Sequence, residues 1–457
     1  MPLLFFSEVH MEHTEYIAHL QGIVQIPTVS SVNDASTDWS EFDRLHRFLQ
    51  EAYPLIFEKL EVTTIGKASL LFHWKSSHAE KQPVIFMAHQ DVVPAPHEEQ
   101  WSHPPFAGEI ADGCLYGRGT EDCKSVLTSE MDAITELLEE GFDPDFDIYL
   151  SFGHDEEVQC TDDKKGSVLA AKYLEDHGVK AYCIFDEGGH VEAVGYHGNE
   201  RPVALVGLAE KAPNEYVLYK EGAGGHASKP GNGTVLGDVA RAIAAVEARP
   251  MPYRLTPLVK AHLKALAESV ADKKVAKLYA HPKKHWDDIV KLAKHDRELD
   301  AKLHTTFAVT MAEASAQANV LPSHAEATMS VRILQGDTVE SVKHYLESIM
   351  PCDVQVKATF AEDPKPAGSV ESEAYHLMSE TIYDIFGKET LIVPNLMLGA
   401  SDSRNYAKVS DNVFRFSGRL KTEQWGEAHQ VDERMPIEHL GVPVSFFKAF
   451  LKKYNEK

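Results

Sequence analysis

Cysteine is scarce in this chain: five residues in 457, odd in number, widely spaced and never in a C-x-x-C pair. Cys114, Cys123, Cys160, Cys183 and Cys352 therefore offer neither a disulfide framework nor a thiolate zinc site, and that usage suits a reducing, cytoplasmic setting. Long apolar runs are missing too. A patch from Leu3 to Phe6 is met at once by Glu8, His10, Glu12 and His13, which leaves no signal-peptide core and no membrane span. Positive charge is the third shortage. With 45 Lys and Arg against 70 Asp and Glu the formal net charge is -25, which repels a phosphate backbone and sets nucleic acid aside as a partner. The acidity itself does not specify a cation site, because most carboxylates of a globular protein simply solvate its surface.

What is present is material for more than one core. A chain of 457 residues exceeds one ordinary domain, and 43% hydrophobic with 25% charged residues, free of repeats and low-complexity tracts, makes it globular throughout. Three short apolar runs, Val84 to Ala88, Ile148 to Phe152 and Ala181 to Phe185, read as buried strands. Between the first two, Val126, Leu127, Met131, Ile134, Leu137 and Leu138 recur at helical spacing until Gly141, predicting a crossover helix over 124–140. The alternation predicts an α/β domain with a mostly parallel sheet. From about Val203 the texture changes to alternating strands (Glu215 to Tyr219, Ala327 to Ile333, Val354 to Phe360) with helices beginning near Leu236 and Asp337. This predicts a smaller α+β domain over 206–364, inserted into a larger one made of 1–205 and 365–457. The stretch from Pro257 to Lys302, rich in Lys, Ala, Leu and Asp, reads as extra helices within the insertion.

In an open α/β sheet, functional residues gather past the carboxyl ends of the strands. His89 and Asp91 follow the first run as H-Q-D, where a carboxylate two residues on can fix the tautomer of a ligating imidazole. Alone, the pattern fits a satisfied core histidine as well. The glycine turn Y-G-R-G-T-E-D-C-K delivers Asp122 just before the crossover helix, as a bridging ligand or as a helix cap. After the second run comes G-H-D-E-E, placing Asp155, Glu156 and Glu157 side by side. Adjacent acids repel one another unless a cation or a moving proton makes them useful, the alternative being a solvated turn. Asp186 and Glu187 close the third run. Three carboxylates (Asp122, Glu157 and one of Asp186 or Glu187) with two neutral histidines set three negative charges against the four of two zinc ions, and one hydroxide balances the remainder. If Asp122 bridges, each metal has three protein ligands and an open position, the catalytic arrangement. Oxygen and nitrogen ligation also admits manganese or cobalt.

These segments resemble the zinc exopeptidase family that includes aminoacylase, carboxypeptidase S, acetylornithine deacetylase and the carnosine dipeptidases, most nearly the carboxypeptidase S and N-fatty-acyl-amino-acid hydrolase branch. The resemblance rests on M-A-H-Q-D-V-V-P-A-P (87–96), W-S-H-P-P-F (101–106), Y-G-R-G-T-E-D-C-K (116–124), S-F-G-H-D-E-E (151–157), F-D-E-G-G (185–189), G-G-H-A-S (224–228) and A-S-D-S-R (400–404), so it spans nearly the whole chain. It implies His89 and Glu157 as ligands of different metals, Asp122 as the bridge, Glu156 as general base and Asp91 as the partner of His89. It further implies a last ligand, His429 in E-A-H-Q-V-D-E-R, and an acidic ligand that is either Asp186 or Glu187. His226, in the inserted domain, is implied to steady an oxyanion, often from a partner subunit. Arg404 is implied to hold a substrate carboxylate, as its planar guanidinium suits, and Asn319 in N-V-L-P to contact substrate. The insertion is expected to act as a lid and dimerisation domain, making a homodimer.

The expected activity is hydrolysis of an amide bond beside a free carboxylate, on a small peptide or an N-acyl amino acid, with two zinc ions per chain. The alternative is a catalytically silent relative that binds amino-acid derivatives, but every implied catalytic position is filled. A serine hydrolase is disfavoured because no G-x-S-x-G elbow occurs. One departure stands out: where relatives have a short glycine-rich turn after Glu157, this chain has Val-Gln-Cys-Thr-Asp-Asp-Lys-Lys before Gly166. That change bears on the pocket wall and leaves the ligands alone.

Overall fold

The computed structural model describes residues 14–158, 165–193 and 195–457. The Leu3 to Phe6 patch and Cys160 lie outside the described residues. The three apolar runs form adjacent parallel strands: Val84–His89 pairs with Ile148–Gly153 on one side and with Cys183–Asp186 on the other. All three are buried along their whole length, which is why they read as continuous apolar runs rather than alternating ones. Cys183–Asp186 continues in parallel to Val413–Arg415, and Val203–Glu210 pairs in parallel with Leu391–Met397. Antiparallel strands Glu61–Ile65 and Ser69–Trp74 finish one edge of this ten-stranded mixed sheet. The α/β expectation holds, with more antiparallel pairing at the margins than a mostly parallel sheet implies.

The crossover helix runs over Lys124–Glu139, and the chain leaves it through Gly141 at φ +71°, a left-handed turn that suits glycine. It packs against the C-terminal helix Gly441–Asn455, whose Phe446, Phe447 and Phe450 close on Phe185 in the sheet. No helix of the described residues is long and apolar enough to cross a membrane.

The buried residues of the crossover helix include several polar ones, and Glu130 is distinctive among them. Glu130 is fully buried, and neither carboxylate oxygen has a hydrogen-bond partner among the described residues. Burial, with the charge of Asp186 nearby, pushes its carboxyl well above the usual range. The unfolded chain therefore ionises this group at a lower pH than the folded one, and stability falls as pH rises from the unfolded pKa towards the folded one. Replacing Glu130 with Met is expected to stabilise the protein by about 1–3 kcal/mol at pH 7.5. Urea unfolding at pH 5 and pH 7.5 checks this, the gain being larger at the higher pH.

A second, four-stranded antiparallel sheet has the order Thr306–Glu313, His324–Ile333, Ala212–Glu221, Gln355–Phe360. Helices Val235–Glu247 and Val339–Ile349 contribute to its separate apolar core. The strict alternation of burial along His324–Ile333 marks a sheet packed on one face only. Val203–Glu210 belongs wholly to the large sheet, and the chain crosses at Lys211. That lysine is fully buried, its Nζ donating to the carbonyls of Ala301 and His304 (both 3.0 Å) and to Thr306 Oγ1 (2.8 Å), so it ties two crossings together. The helices between Pro257 and Leu303 correct an expectation. They do not join the core of the smaller sheet; Leu258, Val259, Leu263, Ile289 and Leu299 share the large core, and Pro257–Leu266 packs on strand Leu391–Met397. Helical periodicity shows that a segment has an apolar stripe, but not which sheet the stripe covers.

Candidate metal centre

Parallel pairing puts the ends of three strands on one edge, with His89 opposite Gly153, and three of the suspect segments emerge there. His89 Nε2 lies 2.9 Å from Asp122 Oδ1 and 3.4 Å from Glu187 Oε1. The other Asp122 oxygen, Oδ2, lies 3.1 Å from His429 Nε2, which is itself 3.1 Å from Glu157 Oε1. One carboxylate thus stands between two donor groups, His89 with Glu187 and His429 with Glu157. Asp122 does not cap the helix: the cap position is Cys123, with no side-chain cap bond. The peptide between Asp122 and Cys123 is cis.

Asp91 organises the inner side. Its carbonyl lies 3.0 Å from His89 Nδ1 and its Oδ1 3.4 Å away. The same carboxylate accepts the Glu156 N–H at Oδ1 (3.2 Å), and the Glu157 N–H (3.1 Å) and Ser30 hydroxyl (2.6 Å) at Oδ2. Burial opposes its ionisation, but the bonds from His89 and Ser30 outweigh burial and bring it down to about 2. Asp91 therefore fixes both the histidine and the turn that carries the two glutamates.

Of the F-D-E-G-G pair, Glu187 belongs to the donor group and Asp186 does not. Asp186 Oδ1 accepts the Glu187 N–H and Oδ2 the Ser403 N–H, both at 2.9 Å. Cys123 Sγ also falls near the first group, but it is spent on the strand end, accepting from the His89 N–H at 3.2 Å and facing the His89 carbonyl at 3.7 Å. Burial holds that thiol well above its usual pKa.

The donor set fits divalent cations. Ligands about 2.0–2.2 Å from a tetrahedral ion lie roughly 3.3–3.6 Å from each other, close to the 2.9–3.4 Å between the facing atoms here. The electrostatics agree. Burial pushes Glu187 well above, and Glu157 above, the usual carboxylate range. The bonds to Asp122 and Glu157 push His429 up to about 10. Crowded carboxylates are thus balanced by protons on histidines, a load that divalent ions take over when the histidines ligate as neutral bases.

Asp122, Glu157, Glu187 and His429 line a cavity of about 610 Å³. Glu156 stands in its wall beside Glu157, and burial, against the pull of Lys165 and His89, raises its carboxyl to about 8. Arg404 lies in the same wall, with one Nη donating to the Ser401 carbonyl (2.7 Å) and Nε 3.4 Å from Glu362. Arg332, on the smaller domain's strand His324–Ile333, faces the cavity with no carboxylate in ion-pair range among the described residues. Sequence reasoning missed Arg332, since a lone Arg on an alternating strand reads as solvent-facing. It also missed Lys165, at the end of the departing segment, whose Nζ reaches Asp402 Oδ1 (3.3 Å) and the Glu156 carbonyl (3.4 Å). His226 and Asn319 are brought next to each other, the Ala227 N–H donating to the Asn319 carbonyl at 3.0 Å. Both are exposed, and neither lines the cavity of its own chain.

A mixed sheet with acids and histidines gathered at its strand ends, walled on the far side by a smaller domain, is the architecture of a metallohydrolase acting on peptide or other linear amide bonds. The chain belongs to Peptidase family M20/M25/M40, whose model matches residues 85–453. It is 32% identical over 436 residues to an N-fatty-acyl-amino acid synthase/hydrolase of Danio rerio, covering 93% of this chain and 82% of the relative. To carboxypeptidase S of Saccharomyces cerevisiae it is 27% identical, covering 96% and 84%. In fold it is similar to an M20 family metallo-carboxypeptidase from Sulfolobus solfataricus, with a TM-score of 0.71 at 19% identity, over 97% of this chain and all of that one.

Proposed function

We propose that this chain is a two-zinc hydrolase that removes an amino acid bearing a free carboxylate from a peptide or an N-acyl group. The observation that carries the reading is the one cavity whose wall holds both Asp122, between its two donor groups, and the arginines Arg404 and Arg332. His89, Glu187, Asp122, Glu157 and His429 would hold the ions. When bound, two divalent cations polarise the scissile carbonyl and acidify a water molecule. Glu156, in the wall of the same cavity, would take a proton from water as the water oxygen bonds to the carbonyl carbon, and would return it to the amine nitrogen as the C–N bond breaks. Arg404 and Arg332 hold the substrate carboxylate and so set the scissile bond over the acids.

His226 and Asn319 enter this scheme from a second copy. Their exposure, and the edge strand Thr306–Glu313 with Met311 57% exposed, support a homodimer through the smaller domain. The free thiols, buried except for Cys352 among the described residues, fit a reducing, cytoplasmic setting.

A panel of dipeptides and N-acyl amino acids, each also as its carboxamide, tests the reading after zinc reconstitution. Hydrolysis is expected to stop with chelator and to favour the free acids; turnover that ignores both changes overturns it. Replacing Arg404 with Met is expected to raise KM for the acids by about 10–100-fold, the worth of about 1.5–3 kcal/mol for a bond to a charged group. The carboxamides are expected to show little change, which initial-rate kinetics on each matched pair measures.

A further inference from the structure

Glu433 carries no role in the scheme above, yet it is fully buried beside the site. Its Oε1 accepts three main-chain N–H groups of the glycine turn: Gly119 at 3.0 Å, Glu121 at 2.8 Å and Asp122 at 3.3 Å. Its Oε2 accepts from Arg118 Nη1, and its carbonyl accepts the Gly117 N–H at 2.9 Å. A carboxyl oxygen in a ring of convergent N–H groups makes directional bonds. What it grips is the turn that presents Asp122. What carries it is the segment that presents His429, four residues upstream.

We infer that Glu433 is a positioning residue that sets metal affinity by locking the Asp122 turn to the His429 turn. The two ligands lie 307 positions apart in the chain, and their facing atoms, His429 Nε2 and Asp122 Oδ2, are 3.1 Å apart. Glu157 and Glu187 hang on other strand ends; the strands flanking the two turns also pair, with Arg434 opposite Tyr116, but it is the Glu433 carboxyl that reaches the Asp122 N–H itself. Gln at 433 keeps the volume but splits the function. Its amide oxygen serves either the turn or Arg118, and its NH2 group then opposes the other set of donors.

This inference rests on the two-metal reading. Parent and Glu433→Gln proteins are stripped with chelator and titrated with zinc against a chromophoric competitor, and the thermal midpoint of each stripped protein is recorded. Outer-shell partners of metal ligands are worth about 10–100-fold in affinity, so the variant is expected to bind at least one zinc that much more weakly, with activity returning as zinc is raised. If Gln prevents folding, Glu433→Asp keeps the carboxyl group but withdraws it from the turn, and the same weakening is expected. Zinc affinities within twofold of the parent, whatever the midpoint does, overturn the inference and leave the two-metal reading standing. A parent protein that binds no zinc overturns both.

Discussion

Replacing Glu156 with Gln is expected to lower kcat by about 10²–10⁴-fold, the range set by loss of a positioned acid–base group, with the proposed two zinc ions per chain retained. The side chains match in shape, so the cavity wall is preserved. The turn is held through its main chain, with the Glu156 and Glu157 N–H groups on Asp91 at 3.2 and 3.1 Å, and neither bond involves the residue 156 side chain. The neighbouring Glu157, a proposed ligand, is therefore expected to stay in place. What Gln lacks is a basic oxygen to take a proton from water and pass it to the amine. Elemental analysis with initial rates separates the two effects. A variant with most of its activity removes Glu156 from the proposed base role, and one that has lost its zinc shows the side chain to be a ligand instead.

Replacing Asp122 with Ala is expected to empty both metal positions and bring activity to the detection limit. The physical reason is sharing. Asp122 Oδ1 faces His89 and Oδ2 faces His429, so one truncation withdraws a donor from each group and leaves two protein ligands apiece, fewer than a zinc site holds. It also removes the charge between two closely spaced cations. Replacing His89 alone is the informative contrast, because it withdraws a donor from one group only. Zinc content after dialysis at a fixed free-metal concentration distinguishes them: below one per chain for Asp122→Ala, about one for His89→Ala. Two zinc ions retained in Asp122→Ala would show that the carboxylate does not bridge.

Much of this site was legible along the chain because strand ends announce themselves. An apolar run that stops in H-Q-D, in H-D-E-E or in D-E-G-G places polar groups where a parallel sheet delivers them all to one edge, and the structure brings His89, Glu157 and Glu187 together there. The crossover helix was equally plain, since its stripe and its terminal glycine are local signals. His429 was not. It sits at φ +63° in an irregular turn, outside any periodic pattern, and only likeness to relatives singled it out.

Sequence alone determined the α/β class, the order of the ligand segments and the chemistry of the donor set, since periodicity, turn residues and residue type are properties of short stretches. Tertiary structure decided what depends on which surfaces meet. It assigned the helices from Pro257 to Leu303 to the large core, set Glu187 rather than Asp186 beside His89, turned Arg332 from an apparent surface residue into a cavity wall, and closed Glu433 around the turn of Asp122. A side chain's neighbours across 200 or 300 positions are fixed by packing between elements, and no local pattern carries that information.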